Sequence, residues 1–129
     1  MVRFALLVGS AAAGFEQTKI SLMHEKLLSD GWAENEITIF PNGVNELLLE
    51  YALNNCVEHN NAKIFLFFCV LSQDCIKDDC ITLGNDEIRK SVIAHYAAMA
   101  EEVGAEMQVV YDADGELIAE ESLGWEKVI

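Results

Sequence analysis

Along the chain, apolar positions recur with two different periods, and the switches between them mark the elements. Val2 to Val8 (VRFALLV) is an apolar run closed by Gly9 and reads as a first strand. Phe15 to Asp30 places Phe15, Ile20, Leu22, Met23, Leu27 and Leu28 at helical spacings, and Gly31 stands where a helix commonly stops. Glu36 to Phe40 (EITIF) alternates as a second strand, broken by Pro41-Asn42-Gly43. A second helix runs from Val44 to Glu58, carrying Leu47, Leu48, Tyr51, Ala52 and Cys56, with Cys56 on its apolar stripe. His59-Asn60-Asn61 turns into Ile64 to Val70. That run is apolar without interruption, as expected of a strand covered on both faces in the middle of a parallel sheet.

Beyond a polar loop, Gly84-Asn85 marks the start of a third helix, with Asn85 as its cap and Asp86 and Glu87 in its first turn. Ile88, Val92, Tyr96, Met99 and Val103 mark its buried face, and Gly104 its end. Glu106 to Tyr111 is a further strand. Asp112 to Gly115 is a turn, and Glu116 to Glu120 returns as its antiparallel partner. The order β-α-β-α-β-loop-α-β-β predicts the α/β class. The expected architecture is a single three-layer domain over residues 1–129, with a mostly parallel sheet, right-handed crossovers, helices on both faces and a C-terminal β-hairpin.

Composition narrows the function classes. With 52% apolar residues the chain is not of the disordered type, and 129 residues suffice for one core. No apolar stretch approaches the length of a membrane span. The N-terminal MVRFALLVGSAAAGFEQTK has an Arg, an apolar run and small residues, like a signal peptide. Its apolar run is short and serves as the first strand, so a cytoplasmic location and no membrane are expected. A net charge of −14 with only 8 Lys and Arg argues against direct nucleic-acid binding. The acidity suits solubility or a basic protein partner. Gly9 to Gly14 follows the first strand, but Gly14-Phe15-Glu16 replaces the Gly-Lys-Ser/Thr of a P-loop. Ala11 also stands where the dinucleotide fingerprint needs glycine. A tight turn and no bound cofactor are the reading. His24 and His95 border apolar helix faces and read as packing or surface residues. The tail from Ser122 to Ile129, with Trp125, Val128 and Ile129, is apolar enough to require a docking place on this domain or on a partner.

The candidate chemistry is sulfur chemistry. Cys69 falls near the carboxyl end of the central strand, the edge where open α/β sheets place their sites. Cys75 and Cys80 follow on the loop. The gap of five residues lies outside the C-x₂₋₄-C spacing of structural zinc sites and the gap of four touches its edge, and no metal is assigned. Two readings stay open. Cys69 is a core residue beside Phe67, Phe68 and Val70, or it is a reactive thiol whose thiolate a helix N-terminus stabilises. Asp74, Asp78 and Asp79 oppose such a thiolate, and Lys77 is the one cation nearby.

The N-terminal two thirds resembles the DsrE/TusD-like family of small sulfur-relay proteins. The resemblance rests on Phe4 to Val8, a helix ending Leu27-Leu28-Ser29-Asp30-Gly31, the stretch Ile39 to Val44 (IFPNGV), and Cys69-Val70 after the third strand. It implies that Cys69 carries sulfane sulfur as a persulfide, received from a donor protein and passed to an acceptor thiol. It also implies assembly as a homo- or hetero-oligomer. Cys75 or Cys80 would then resolve the persulfide by forming a disulfide and releasing sulfide. The chain departs from the family after the cysteine, where Leu71 to Asp78 replaces small residues and an Arg-Gly pair, and again in its C-terminal hairpin and tail. Caspase-like peptidases share the element order but need His-Gly where Leu71-Ser72-Gln73 stands and Cys where Asp112-Ala113-Asp114 stands. The remaining class is a non-catalytic binding or oligomerisation module whose cysteines are structural. A flavin-binding version would need a phosphate loop richer in hydroxyls than Gly9 to Gly14.

Overall fold

The computed structural model describes residues 2–10, 15–70, 73–83, 86–113 and 116–122. In chain order these form β1 (Arg3–Val8), α1 (Phe15–Ser29), a 3₁₀ turn (Glu34–Glu36), β2 (Ile37–Phe40), α2 (Glu46–Val57), β3 (Lys63–Val70) and a second 3₁₀ turn (Gln73–Cys75). There follow β4 (Cys80–Leu83), β5 (Asp86–Arg89), α3 (Lys90–Glu102), β6 (Glu106–Ala113) and β7 (Glu116–Ser122). The main sheet has the order β2-β1-β3-β6-β7. Its first four strands are parallel, and β7 returns antiparallel to β6. The expected α/β class, the mostly parallel sheet and the C-terminal hairpin are all present.

Each parallel strand sends alternate side chains to opposite faces, as the pleat requires. Ala5, Leu7, Phe65, Phe67, Cys69 and Val110 meet Ile20, Met23 and Leu27 of α1. Leu6, Val8, Ile64, Leu66, Phe68, Met107 and Val109 meet α2 and α3 on the other side. With helices on both faces, β3 has no solvated side, and every residue from Ile64 to Val70 is buried. Across its long pairing with β6, Phe68 stacks on Tyr111 with ring centroids 5.7 Å apart.

Local signals set the element ends. At the end of α1, the Gly31 N–H donates to the Leu28 carbonyl and the Trp32 N–H to that of Leu27. This closing pair needs the left-handed φ of +97° that glycine adopts readily. The Asn45 side chain accepts the Leu48 N–H at 2.8 Å and caps α2. Gly9 is required for space: a Cβ there would stand 2.7 Å from the Pro41 carbonyl oxygen, where the ends of β1 and β2 come together.

One expectation is corrected. Asp86 and Glu87 do not lie in the first turn of a helix. They belong to β5, which pairs antiparallel with β4, and the third helix starts at Lys90. The expected cap, Asn85, lies outside the described residues. The reason is a period of two: Ile81, Leu83 and Ile88 all enter the core shared with α2 and α3, while Thr82 pairs with Glu87 between them. Of the acidic pair that resembles a helix start, Glu87 lies with Thr82 on the outer side of a short hairpin, and Asp86 pairs with Leu83, the last residue of β4.

Candidate functional site

The carboxyl edge of the parallel strands gathers the residues singled out for chemistry. The sheet order places β2 on one side of β1 and β3 on the other, so the chain reverses its winding direction there. Ser10 lies just past β1 at this edge. Its hydroxyl is buried and, among the described residues, has no hydrogen-bond partner.

Cys69 is the penultimate residue of β3 and stands opposite Asp112 of β6. Its accessible surface is 0%, and it belongs to the cluster that the sheet forms with α1. Cys75 ends the second 3₁₀ turn, is half-buried, and packs against the other cluster, the one shared with α2 and α3. Cys80 opens β4. An isolated bridge between Ile76 and Ile81, with the Lys77 N–H donating to the Cys80 carbonyl at 2.9 Å, closes the turn that joins the two. The fold thus brings Cys75 and Cys80 onto one turn, whereas Cys69 faces the opposite side of the sheet.

The electrostatics of the cysteines differ. Burial raises the Cys80 thiol above its ordinary range, and the carboxylates of Glu87 and Asp79 add to this. Lys77 opposes them and is itself engaged by Glu87 at 3.8 Å. Cys56, in the core under α2, is pushed up to about 12 by burial. The expected core role of Cys56 agrees with its place in the cluster. The helix N-terminus invoked for a reactive thiol is separated from Cys69 in sequence by the whole β4–β5 hairpin. The first N–H of α3, that of Lys90, donates to the Asp79 carbonyl at 2.9 Å. All four cysteines are thiols, with no disulfide. Among the described residues, no group of three or more His, Cys, Asp or Glu side chains is placed to hold a metal ion.

The histidines resolve into ordinary contacts. His24 Nε2 lies 2.6 Å from the Glu34 carboxylate, and His95 packs edge-on against Tyr96. The expected apolar set of the second helix is corrected in part, because three of its residues lie on the outer face of α2. Leu47, Leu48 and Tyr51 are 78%, 55% and 69% exposed, and the helix buries Leu49, Leu53, Cys56 and Val57 instead. The signal was available in the run Leu47-Leu48-Leu49: three consecutive apolar residues span about 200° of a helix, more than one buried stripe can absorb.

No described helix is long and apolar enough to cross a membrane. Comparison with protein-family models, with curated proteins and with solved structures finds no match to this chain. The fold and its site define an α/β domain of doubly wound type.

Proposed function

We propose that this chain is a non-catalytic α/β binding module whose cysteines are structural. One observation carries the reading. Cys69, the thiol best placed by sequence for chemistry, has no accessible surface and packs among Phe67, Val110 and α1. A buried thiol in apolar surroundings behaves as a small hydrophobe. Four cysteines in an α/β domain of this size do not make a disulfide scaffold, and a cytoplasmic location is part of the proposal.

A second reading, a persulfide carrier with donor and acceptor proteins, is favoured by the position of Cys69 at the carboxyl edge of the central strand. In that case the Cys69 thiolate attacks the outer sulfur of a donor persulfide, the donor thiolate leaves, and the new Cys–S–SH passes its sulfur to an acceptor thiol. The sheet would have to open at the end of β3 for this to occur.

Intact-mass analysis after incubation with a persulfide donor separates the two. The module reading expects no gain of sulfur at Cys69. A reductant-labile gain of one sulfur that disappears in Cys69→Ser overturns it and establishes the carrier.

A further inference from the structure

The two flanks of α3 differ. Its buried side is formed by Val92, Ile93, Tyr96 and Ala100, and Tyr96 is engaged by Asn54 and Glu50 of α2. The flank turned away from α2 carries Ala94, Ala97 and Ala98, which share one face at spacings of three and four. Ala94 and Ala98 are exposed and Ala97 is half-buried. Methyl groups do not reach across to the sheet, and a groove of about 280 Å³ is left open there. It is walled by Ile93 and the three alanines and floored by Met107 and Val109 of β6. A void of about 150 Å³ accepts a benzene ring, so this groove has room for an indole.

The topology supplies the occupant. β7 runs antiparallel to β6, and its last residue, Ser122, pairs with Gln108, two residues from the start of β6. The chain therefore leaves the sheet at the amino end of β6, the end at which α3 also stops. By strand spacing and rise, Ser122 stands about 6 Å from Met107 on the groove floor. Leu123 to Ile129 (LGWEKVI) lies outside the described residues. Its first three residues, Leu123 to Trp125, span up to about 10 Å, and Gly124 lets the backbone turn out of the strand direction. The other apolar surfaces lie farther off. The pocket beside Phe67 and Asp112 is at the carboxyl end of the strands, and the exposed Leu48 and Tyr51 border β2 at the opposite edge of the sheet. Glu101, the one charged residue of the groove lining, stands at the end where the tail arrives. It has no ion-pair partner among the described residues, and Lys127 follows Trp125 by two positions. We propose that the segment after β7 folds back over the end of β6 and lays Trp125 into the groove between α3 and β6, with Lys127 directed at Glu101. The apolar residues of the tail then dock on their own domain and close a gap that a packed interior fills. This docking is independent of whether Cys69 carries sulfur.

The test uses the full chain. NMR of the unaltered protein should show NOEs from the Trp125 indole, assigned by its loss in Trp125→Phe, to the methyl groups of Ala97 and Ala98. Trp125→Ala should lower the melting temperature by about 5–10 °C, as the loss of a packed aromatic does in a domain of this size. Ala98→Gln lengthens an exposed helix position without adding charge. It should break the contacts and lower the melting temperature, and should leave that temperature unchanged when introduced into Trp125→Ala. Leu22→Gln, on the exposed side of α1, should leave the contacts intact. Absence of the NOEs, an unchanged melting temperature in Trp125→Ala, or an equal effect of Ala98→Gln in both backgrounds overturns the proposal. So do NOEs that arise only between differently labelled copies, because the tail then docks on a second molecule. Sulfur uptake at Cys69 moves none of these readouts, so failure of the module reading and failure of the tail docking are told apart.

Discussion

Alkylation kinetics provide a sharp probe of the proposed burial. Iodoacetamide pulses on the native chain, with peptide-level mass analysis, report each cysteine separately. Cys69 has no accessible surface, so it reacts only from an opened state. If that opening costs as much as the lower end of typical domain stability, about 5 kcal/mol, the open population is about 2 × 10⁻⁴. Cys69 in the native chain should then be modified on the order of 5,000-fold more slowly than in urea at the same pH, and Cys56 should be similarly protected. The half-buried Cys75 should label first. A Cys69 rate within about tenfold of its denatured rate would mean that the end of β3 opens locally at little cost. The structural role assigned to this thiol would then be wrong, and the carrier reading would take its place.

Other consequences can be checked with single variants. Leu53→Ala removes a fully buried side chain of α2 and should cost about 2–5 kcal/mol in urea unfolding, whereas Leu47→Ala should stay within about 0.5 kcal/mol. Equal costs would mean that α2 is rotated from the orientation described. Gly9→Ala drives a Cβ to 2.7 Å from the Pro41 carbonyl oxygen and should destabilise by about 1–3 kcal/mol, read as a lower melting temperature. The Cys80 alkylation rate should keep rising with pH beyond the ordinary thiol range; Glu87→Gln should bring that rise to lower pH and Lys77→Ala should move it higher. Glu36 and Glu46 are held below the ordinary glutamate value by hydrogen bonds from Arg3 and Arg89, respectively. Their ionised forms therefore lend stability that is complete above about pH 4.3 and is lost as pH falls through the lower folded values. Carboxyl NMR titration should show both shifts, and Arg3→Ala should raise Glu36 alone toward the usual range, the Ala33 N–H still holding it below that value.

Legibility in the sequence followed the strength of each physical signal. The unbroken run Ile64 to Val70 allowed only a doubly covered strand, and Gly31 and Gly104 marked helix ends that need a left-handed residue. The β4–β5 hairpin was hidden because its strands are four residues each and its polar half, Asp86-Glu87, imitates the acidic first turn of a helix. Only the core reveals that Ile81, Leu83 and Ile88 share one side. On α2 the three leucines fixed the element but not its rotation. Which of them is buried depends on the strands below, and the sequence does not state how far β2 extends under the helix.

The cysteines show the same limit at the level of function. Spacing places Cys69, Cys75 and Cys80 within twelve residues of one another, which in a flexible loop would be a workable set for thiol exchange. The sheet separates them. Cys69 lies next to the end of β3 and faces α1, while Cys75 packs toward the layer of α2 and α3. A disulfide needs Cβ atoms about 3.5–4.5 Å apart, so Cys69 could meet Cys75, on the other side of the sheet, only by leaving its place opposite Asp112. The β3–β6 pairing holds it there along eight residue pairs, stiffened by the Phe68–Tyr111 stack. Cys75 and Cys80, in contrast, flank a single turn and can approach with the main sheet intact. If this chain forms a disulfide under oxidant, it should be Cys75–Cys80, with Cys69 still alkylatable after unfolding. A Cys69 disulfide formed in the native chain would require the central strand to be the mobile one, against everything that buries it.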